Sequence, residues 1–124
     1  WSSDVCSSDL HQHQELVSAA IRDAVRSRDI VARYGGEEFL VLVTCATPAL
    51  AKQAAERIRQ RVYDLHIPHM FNDSVATHVT ISIGLAPLTS AGLDEALQAA
   101  DRALYGAKHQ GRNHIFTSED ARAA

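Results

Sequence analysis

Residues 33 to 40 read Arg33-Tyr34-Gly35-Gly36-Glu37-Glu38-Phe39-Leu40, a glycine pair followed directly by two carboxylates. Acid groups beside bare backbone suit metal-assisted chemistry on a phosphate. Carboxylates hold a hard divalent cation, and glycine lets backbone come close where a Cβ would intrude. Apolar, strand-like runs flank the motif, Ile30 to Tyr34 and Phe39 to Val43, and Gly-Gly is a favoured two-residue hairpin loop. The plainer reading is a hairpin turn with two solvated acids. Lys108 and Arg112 stand where a helical pattern ends, where a cation complements the helix dipole or is simply solvated.

Several elements must position these groups. Val17, Ala20, Ile21, Ala24 and Val25 recur at helical spacing between Glu15 and Arg28, which predicts a helix leading into a turn, with the hairpin following. Thr47 at N-cap with Pro48 at the first helical position starts a second helix, burying Ala51, Ala54, Ala55, Ile58, Val62 and Leu65 and ending near Ile67-Pro68. Residues 69 to 76 read as a polar loop, and Thr77 to Ala86 as one strand rich in β-branched residues, closed by Pro87. A last helix, Leu93 to about His109, gathers Leu93, Ala96, Leu97, Ala100, Leu104 and Ala107 on one face and stops at Gly111. A short strand, Asn113 to Phe116, then leaves a polar tail. Tyr105 reads as a packing residue, and Asp101, with no neighbouring carboxylate, as structural.

Composition narrows the function classes. The chain has 124 residues, enough for one small domain, and 46% apolar content supports a single core. A net charge of −3, with no basic run longer than two, argues against a nucleic-acid or anionic-membrane surface. No apolar run approaches the roughly 20 residues of a membrane span. Two cysteines, Cys6 and Cys45, make no disulfide framework and fit a reducing cytosol. The seven histidines show no zinc spacing, which leaves them as surface residues.

The first ten residues, Trp1 to Leu10, carry no helical or strand period. One reverse translation of them resembles the adapter oligonucleotide of short-read library preparation. Residues 1–10 are therefore expected to be foreign and are set apart from fold reasoning, along with Cys6.

Four ordered blocks carry a family resemblance: Arg26-Ser27-Arg28-Asp29, the Gly35 to Phe39 signature, Val79 to Gly84 (V-T-I-S-I-G), and Ala100 to Lys108 (A-D-R-A-L-Y-G-A-K) followed by Gly111-Arg112-Asn113. Together they resemble the GGDEF domain of the diguanylate cyclase family. The resemblance implies an α+β fold related to the nucleotidyl-cyclase and polymerase palm, a largely antiparallel sheet covered by helices. Its first strand and first helices are missing here, so residues 11–117 would hold the C-terminal two thirds of the domain and 118–124 a tail. A lost central strand would leave unpaired strand edges and a liability to aggregation or swapping.

The activity implied is condensation of two GTP molecules to cyclic di-GMP plus pyrophosphate, in a cytoplasmic, bacterial homodimer using Mg²⁺ or Mn²⁺. Glu37 would bind the metal and assist deprotonation of the attacking 3′-hydroxyl, with Glu38 in support. Gly35 and Gly36 would admit the nucleotide, and Lys108 and Arg112 would contact its terminal phosphates, the first as a point charge and the second as a fork. The R-x-x-D of Arg26 and Asp29, with five residues between Asp29 and Gly35, would form the product-inhibition site. There Arg26 forks onto the O6 and N7 edge of guanine, Asp29 accepts from the other edge, and Arg57 closes the site across domains. A polar helix end is the plainer reading of those residues.

Departures from the family matter too. The D-x-D-x-F-K-x-x-N-D block, which supplies the first metal aspartate and the guanine-reading asparagine, is not in this chain. His11 stands where a second guanine-reading carboxylate should be. The chain by itself is therefore expected to show little or no cyclase activity. The alternative is a non-catalytic GGDEF domain acting as a receptor for GTP or cyclic di-GMP.

Overall fold

The computed structural model describes residues 2–3, 10–34, 38–44, 47–69 and 77–123. Its elements follow in the order β1 (Ser2–Ser3), α1 (Leu10–Ala24), β2 (Ile30–Arg33), β3 (Phe39–Leu42), α2 (Pro48–Asp64), β4 (Pro68–His69), β5 (Thr77–His78), β6 (Ile81–Leu85), α3 (Leu93–His109), β7 (Ile115–Thr117) and α4 (Ser118–Ala123). Helices and short sheets make a mixed α/β fold, and the described strand pairs are antiparallel except β6 with β7. That parallel pair is joined through α3, as parallel neighbours require a crossover. Among the described residues no helix is long and apolar enough to cross a membrane.

The predicted helices form, with shifted ends. Helix α1 runs from Leu10 to Ala24, whose carbonyl accepts from Arg57 Nε at 3.3 Å, and the chain then turns between Arg26 and Asp29. Helix α2 starts as read: the Thr47 hydroxyl accepts from the Leu50 N–H at 3.2 Å, with Pro48 at the first helical position. Ala54, Ala55, Ile58 and Val62 are buried, but Leu65 lies past the helix end and is exposed.

Two readings change. The strand expected over 77–86 is split into β5 and β6, because the Val79 N–H donates to the Ile67 carbonyl at 2.7 Å and the chain changes partner there. The polar tail forms α4. Thr117 and Asp120 cap it reciprocally, the Thr117 N–H donating to Asp120 Oδ2 at 2.9 Å and the Asp120 N–H to Thr117 Oγ1 at 3.1 Å. Within the segment expected to be foreign, Ser2 and Ser3 pair with Ser82 and Ile81, and Leu10 opens α1.

The core lies where α1 and α2 meet each other and the strands. Val17, Ala20, Ile21 and Ala24 pack with Ala55, Ile58 and Val62 against Phe39, Ile67, Val79, Ile81 and Ile83. Helix α3 lies on β6 at Gly84, where an added Cβ would overlap the Ala100 carbonyl oxygen and meet the Leu104 backbone nitrogen at 2.5 Å. This close approach is the physical reason for a glycine in the middle of a buried strand. The hairpin strands β2 and β3 form a sheet of their own, separate from the β1-β6-β7 sheet.

Candidate functional site

The hairpin pairs Ile30 with Leu42 and Arg33 with Phe39 in antiparallel register. The Tyr34 N–H then donates to the Glu38 carbonyl at 2.8 Å, which leaves three residues between the bonded positions rather than the Gly-Gly pair expected. Those three, Gly35, Gly36 and Glu37, lie outside the described residues, as does Cys45. Glu38 is half-buried beside Phe39, which turns into the core at 4% exposure. Strand alternation therefore points the Glu38 carboxylate away from the core.

An apolar groove runs along the edge of β3 toward α3. It is lined on the hairpin side by Tyr34, Glu38 and Phe39 to Val43, and opposite by Leu85, Leu97, Ala100 and Asp101. Its volume of about 90 Å³ is well below the roughly 300 Å³ at which ligand pockets begin. The groove is thus a seam beside β3, with Glu38 and Asp101 among the residues that line it. Asp101, read from sequence as structural, is exposed there.

Helix α3 carries the two basic residues. Its C-terminus closes in a Schellman motif: the Arg112 N–H donates to the Ala107 carbonyl at 3.2 Å and the Gly111 N–H to the Lys108 carbonyl at 3.4 Å, with Gly111 at φ 104°. Lys108 and Arg112 are thereby fastened into one turn, Lys108 half-buried and Arg112 exposed. Tyr105 is not a packing residue. It is 65% exposed and stacks on His109, ring centroids 4.0 Å apart.

Arg26 and Asp29 are joined in a tight turn. The Asp29 N–H donates to the Arg26 carbonyl at 3.0 Å, and the Arg26 N–H donates back to Asp29 Oδ2 at 2.9 Å. Asp29 Oδ1 accepts from the Thr44 N–H at 3.0 Å and from its hydroxyl at 3.3 Å. The Thr44 N–H bond, ahead of the others, holds the Asp29 carboxyl below the usual aspartate range. Arg57 reaches the same corner through its bond to the Ala24 carbonyl.

Sequence does not single out Thr44 as the partner of Asp29 or Arg59 as a partner of Asn113, and it presents Ser82 and Asn113 only as members of longer motifs. Ser82 carried a signal, because a hydroxyl in an apolar strand must find a partner once buried. Asn113 carried another, since asparagine is enriched at positive φ. Their partners are decided only by packing. Among the described residues, no group of three or more acidic, histidine or cysteine side chains gathers to hold a metal.

With this geometry in view, the comparisons with known proteins agree. The family model described as diguanylate cyclase, GGDEF domain, matches residues 14–114. The chain is 38% identical over 109 residues to diguanylate cyclase A of Treponema denticola, covering 86% of this chain and 28% of that protein. The solved GGDEF domain of DgcB from Caulobacter crescentus, in complex with c-di-GMP, superposes with a TM-score of 0.73 at 26% identity, covering 91% of this chain and 70% of that one. The active GGEEF domain of a diguanylate cyclase from Vibrio cholerae does so at 0.70 and 25% identity, covering 86% and 67%. The chain belongs to the GGDEF domain family of diguanylate cyclases. It spans 21% to 28% of the length of the curated relatives it matches first.

Proposed function

We propose that this chain is the nucleotide-binding part of a cyclase that condenses two GTP molecules to cyclic di-GMP and pyrophosphate, each copy of a homodimer presenting one nucleotide. The observation that carries the reading is the cap after α3, which fastens Lys108 and Arg112 into one turn. Glu38 of the hairpin and Asp101 of the same helix both line the groove beside β3. A Vibrio cholerae relative with the same G-G-E-E-F signature is described as active.

In this reading Gly35 and Gly36 admit the nucleotide, Lys108 places a point charge on its terminal phosphates and Arg112 forks onto them. Glu37 accepts the proton of the attacking 3′-hydroxyl, and Glu38 supports the hairpin beside it. The hard oxygen donors of Glu37 and Glu38 fit Mg²⁺ or Mn²⁺. Such an ion, when bound, neutralises phosphate charge and acidifies the hydroxyl. With no D-x-D-x-F-K-x-x-N-D block among its residues, the chain alone turns over little GTP.

Arg26 and Asp29 form the product-inhibition site, with Arg57 at its border. Asp29 Oδ2 accepts one described hydrogen bond, from Arg26, and a carboxylate oxygen has a second lone pair for a guanine N–H. This turn also supports the second reading, a receptor that binds cyclic di-GMP without turnover.

Titration of the full chain with GTP and with cyclic di-GMP, in Mg²⁺, tests both. Lys108→Ala and Arg112→Ala should each weaken GTP binding by about tenfold or more, the worth of a hydrogen bond to a charged group. Arg26→Ala should abolish cyclic di-GMP binding and leave GTP binding intact. Failure of either nucleotide to bind would overturn the proposal, and cyclic di-GMP binding alone would favour the receptor.

A further inference from the structure

The turn that carries Arg112 is an uncomfortable one. Gly111 at φ 104° is at ease, but Arg112 at φ 63° and Asn113 at φ 52° follow it in the left-handed region. Two successive side chains there cost free energy and persist only when neighbours hold them. The neighbours are identifiable. The Asn113 N–H donates to the hydroxyl of Ser82 at 3.2 Å, and Ser82, in the middle of β6, is fully buried. The Asn113 side-chain oxygen accepts from Arg59 Nη1 of α2 at 2.9 Å. Arg59 is itself held by Glu56, whose carboxylate accepts from its Nε at 3.1 Å and from its Nη2. Immediately afterwards the His114 carbonyl accepts from the Ile83 N–H at 2.9 Å, and the chain enters β7.

We infer that Ser82 and Arg59 are positioning residues for Arg112: through Asn113 they hold the turn after α3 in the left-handed conformation that presents the Arg112 guanidinium to a nucleotide's terminal phosphates. The inference rests on the reading of Arg112 as a phosphate contact. It adds that the contact depends on a buried strand hydroxyl and on a helix from elsewhere in the chain. Without them the turn relaxes toward ordinary backbone, and the guanidinium leaves its place relative to Lys108, even though neither Ser82 nor Arg59 touches nucleotide.

The test is calorimetric titration of the full chain and its variants with GTP and with GMP, which shares the base and sugar but lacks the terminal phosphates. Ser82→Ala removes the hydroxyl. Asn113→Gly keeps the left-handed backbone accessible while deleting the oxygen that Arg59 grips. Each should weaken GTP binding about three- to tenfold, the worth of one hydrogen bond, and leave GMP binding unchanged. Neither should weaken GTP binding further in an Arg112→Ala background. Equal losses for GTP and GMP, or losses that add in full to that of Arg112→Ala, would reduce Ser82 and Arg59 to general stabilisers and overturn the inference. If Ser82→Ala does not fold by circular dichroism, Asn113→Gly decides alone. Wild-type GTP affinity in Arg112→Ala would instead remove the phosphate reading itself. A clear loss in Arg112→Ala with none in Asn113→Gly would remove only the positioning role.

Discussion

At Asp29 one carboxylate accepts hydrogen bonds from the Arg26 N–H, the Thr44 N–H and the Thr44 hydroxyl, and so ties the turn after α1 to the end of β3. Asp29→Ala leaves two N–H groups without their partner and should cost about 1–3 kcal/mol, whereas Thr44→Val removes only the hydroxyl bond and should cost less than about 1 kcal/mol. Urea unfolding of the two variants measures the difference. The pH dependence follows from the lowered carboxyls of Asp29, Glu56 and Asp120, held down by bonds from Thr44, Arg59 and Thr117 respectively. A depressed carboxyl contributes stability that is present above its unfolded value and lost as pH falls through the folded one. The melting temperature should therefore hold at neutral pH and fall below about pH 4, with a shallower fall in Asp29→Asn. At this scale the R-x-x-D spacing was readable as a tight pair. The grip of Thr44 on it was not, because it joins positions 15 residues apart.

Helix α3 is positioned by two glycine contacts that differ in kind. At Gly84 of β6 a methyl group would meet the backbone of α3, at Ala100 and Leu104, and backbone cannot step aside. At Gly106 of α3 it would meet the ring of Phe116, its nearest atom 2.6 Å away, and a side chain has some room to turn. Gly84→Ala should therefore abolish cooperative unfolding or cost more than about 3 kcal/mol, while Gly106→Ala should cost about 1–3 kcal/mol, as overpacking commonly does. Thermal denaturation by circular dichroism separates the two. Element existence was largely legible: Thr47-Pro48 announced α2 and Gly111 the end of α3. The Thr117-x-x-Asp120 cap of α4 is also present in the sequence, within a stretch whose polar composition alone reads as a tail. The split of the 77–86 strand was not legible, since it depends on which strand each half finds beside it.

Across the whole molecule, the β2-β3 hairpin and the β1-β6-β7 sheet remain separate, with the apolar groove running along β3 between them. Among the described residues β2 is the strand neighbour of β3, which makes β3 an edge strand beside an apolar groove. Such an edge favours self-association. Sedimentation at rising concentration should show oligomers forming. Leu88→Lys, at a groove residue that is 59% exposed, should suppress them without lowering the melting temperature. Unchanged association in that variant would place the contact elsewhere.

The sequence by itself determined the family, the alternation of helices and strands, and the identity of the acidic, glycine and basic residues. These are local matters, set by periodicity, caps and short motifs within one turn or hairpin. Only the tertiary structure decided that Glu38 and Asp101 line one groove, that Thr44 holds Asp29, and that Ser82 and Arg59 bond to Asn113 in the turn after α3. Each of those pairings joins residues far apart in the chain. Their partners are chosen by how α2, α3 and β6 pack around one core, and no local pattern encodes that choice.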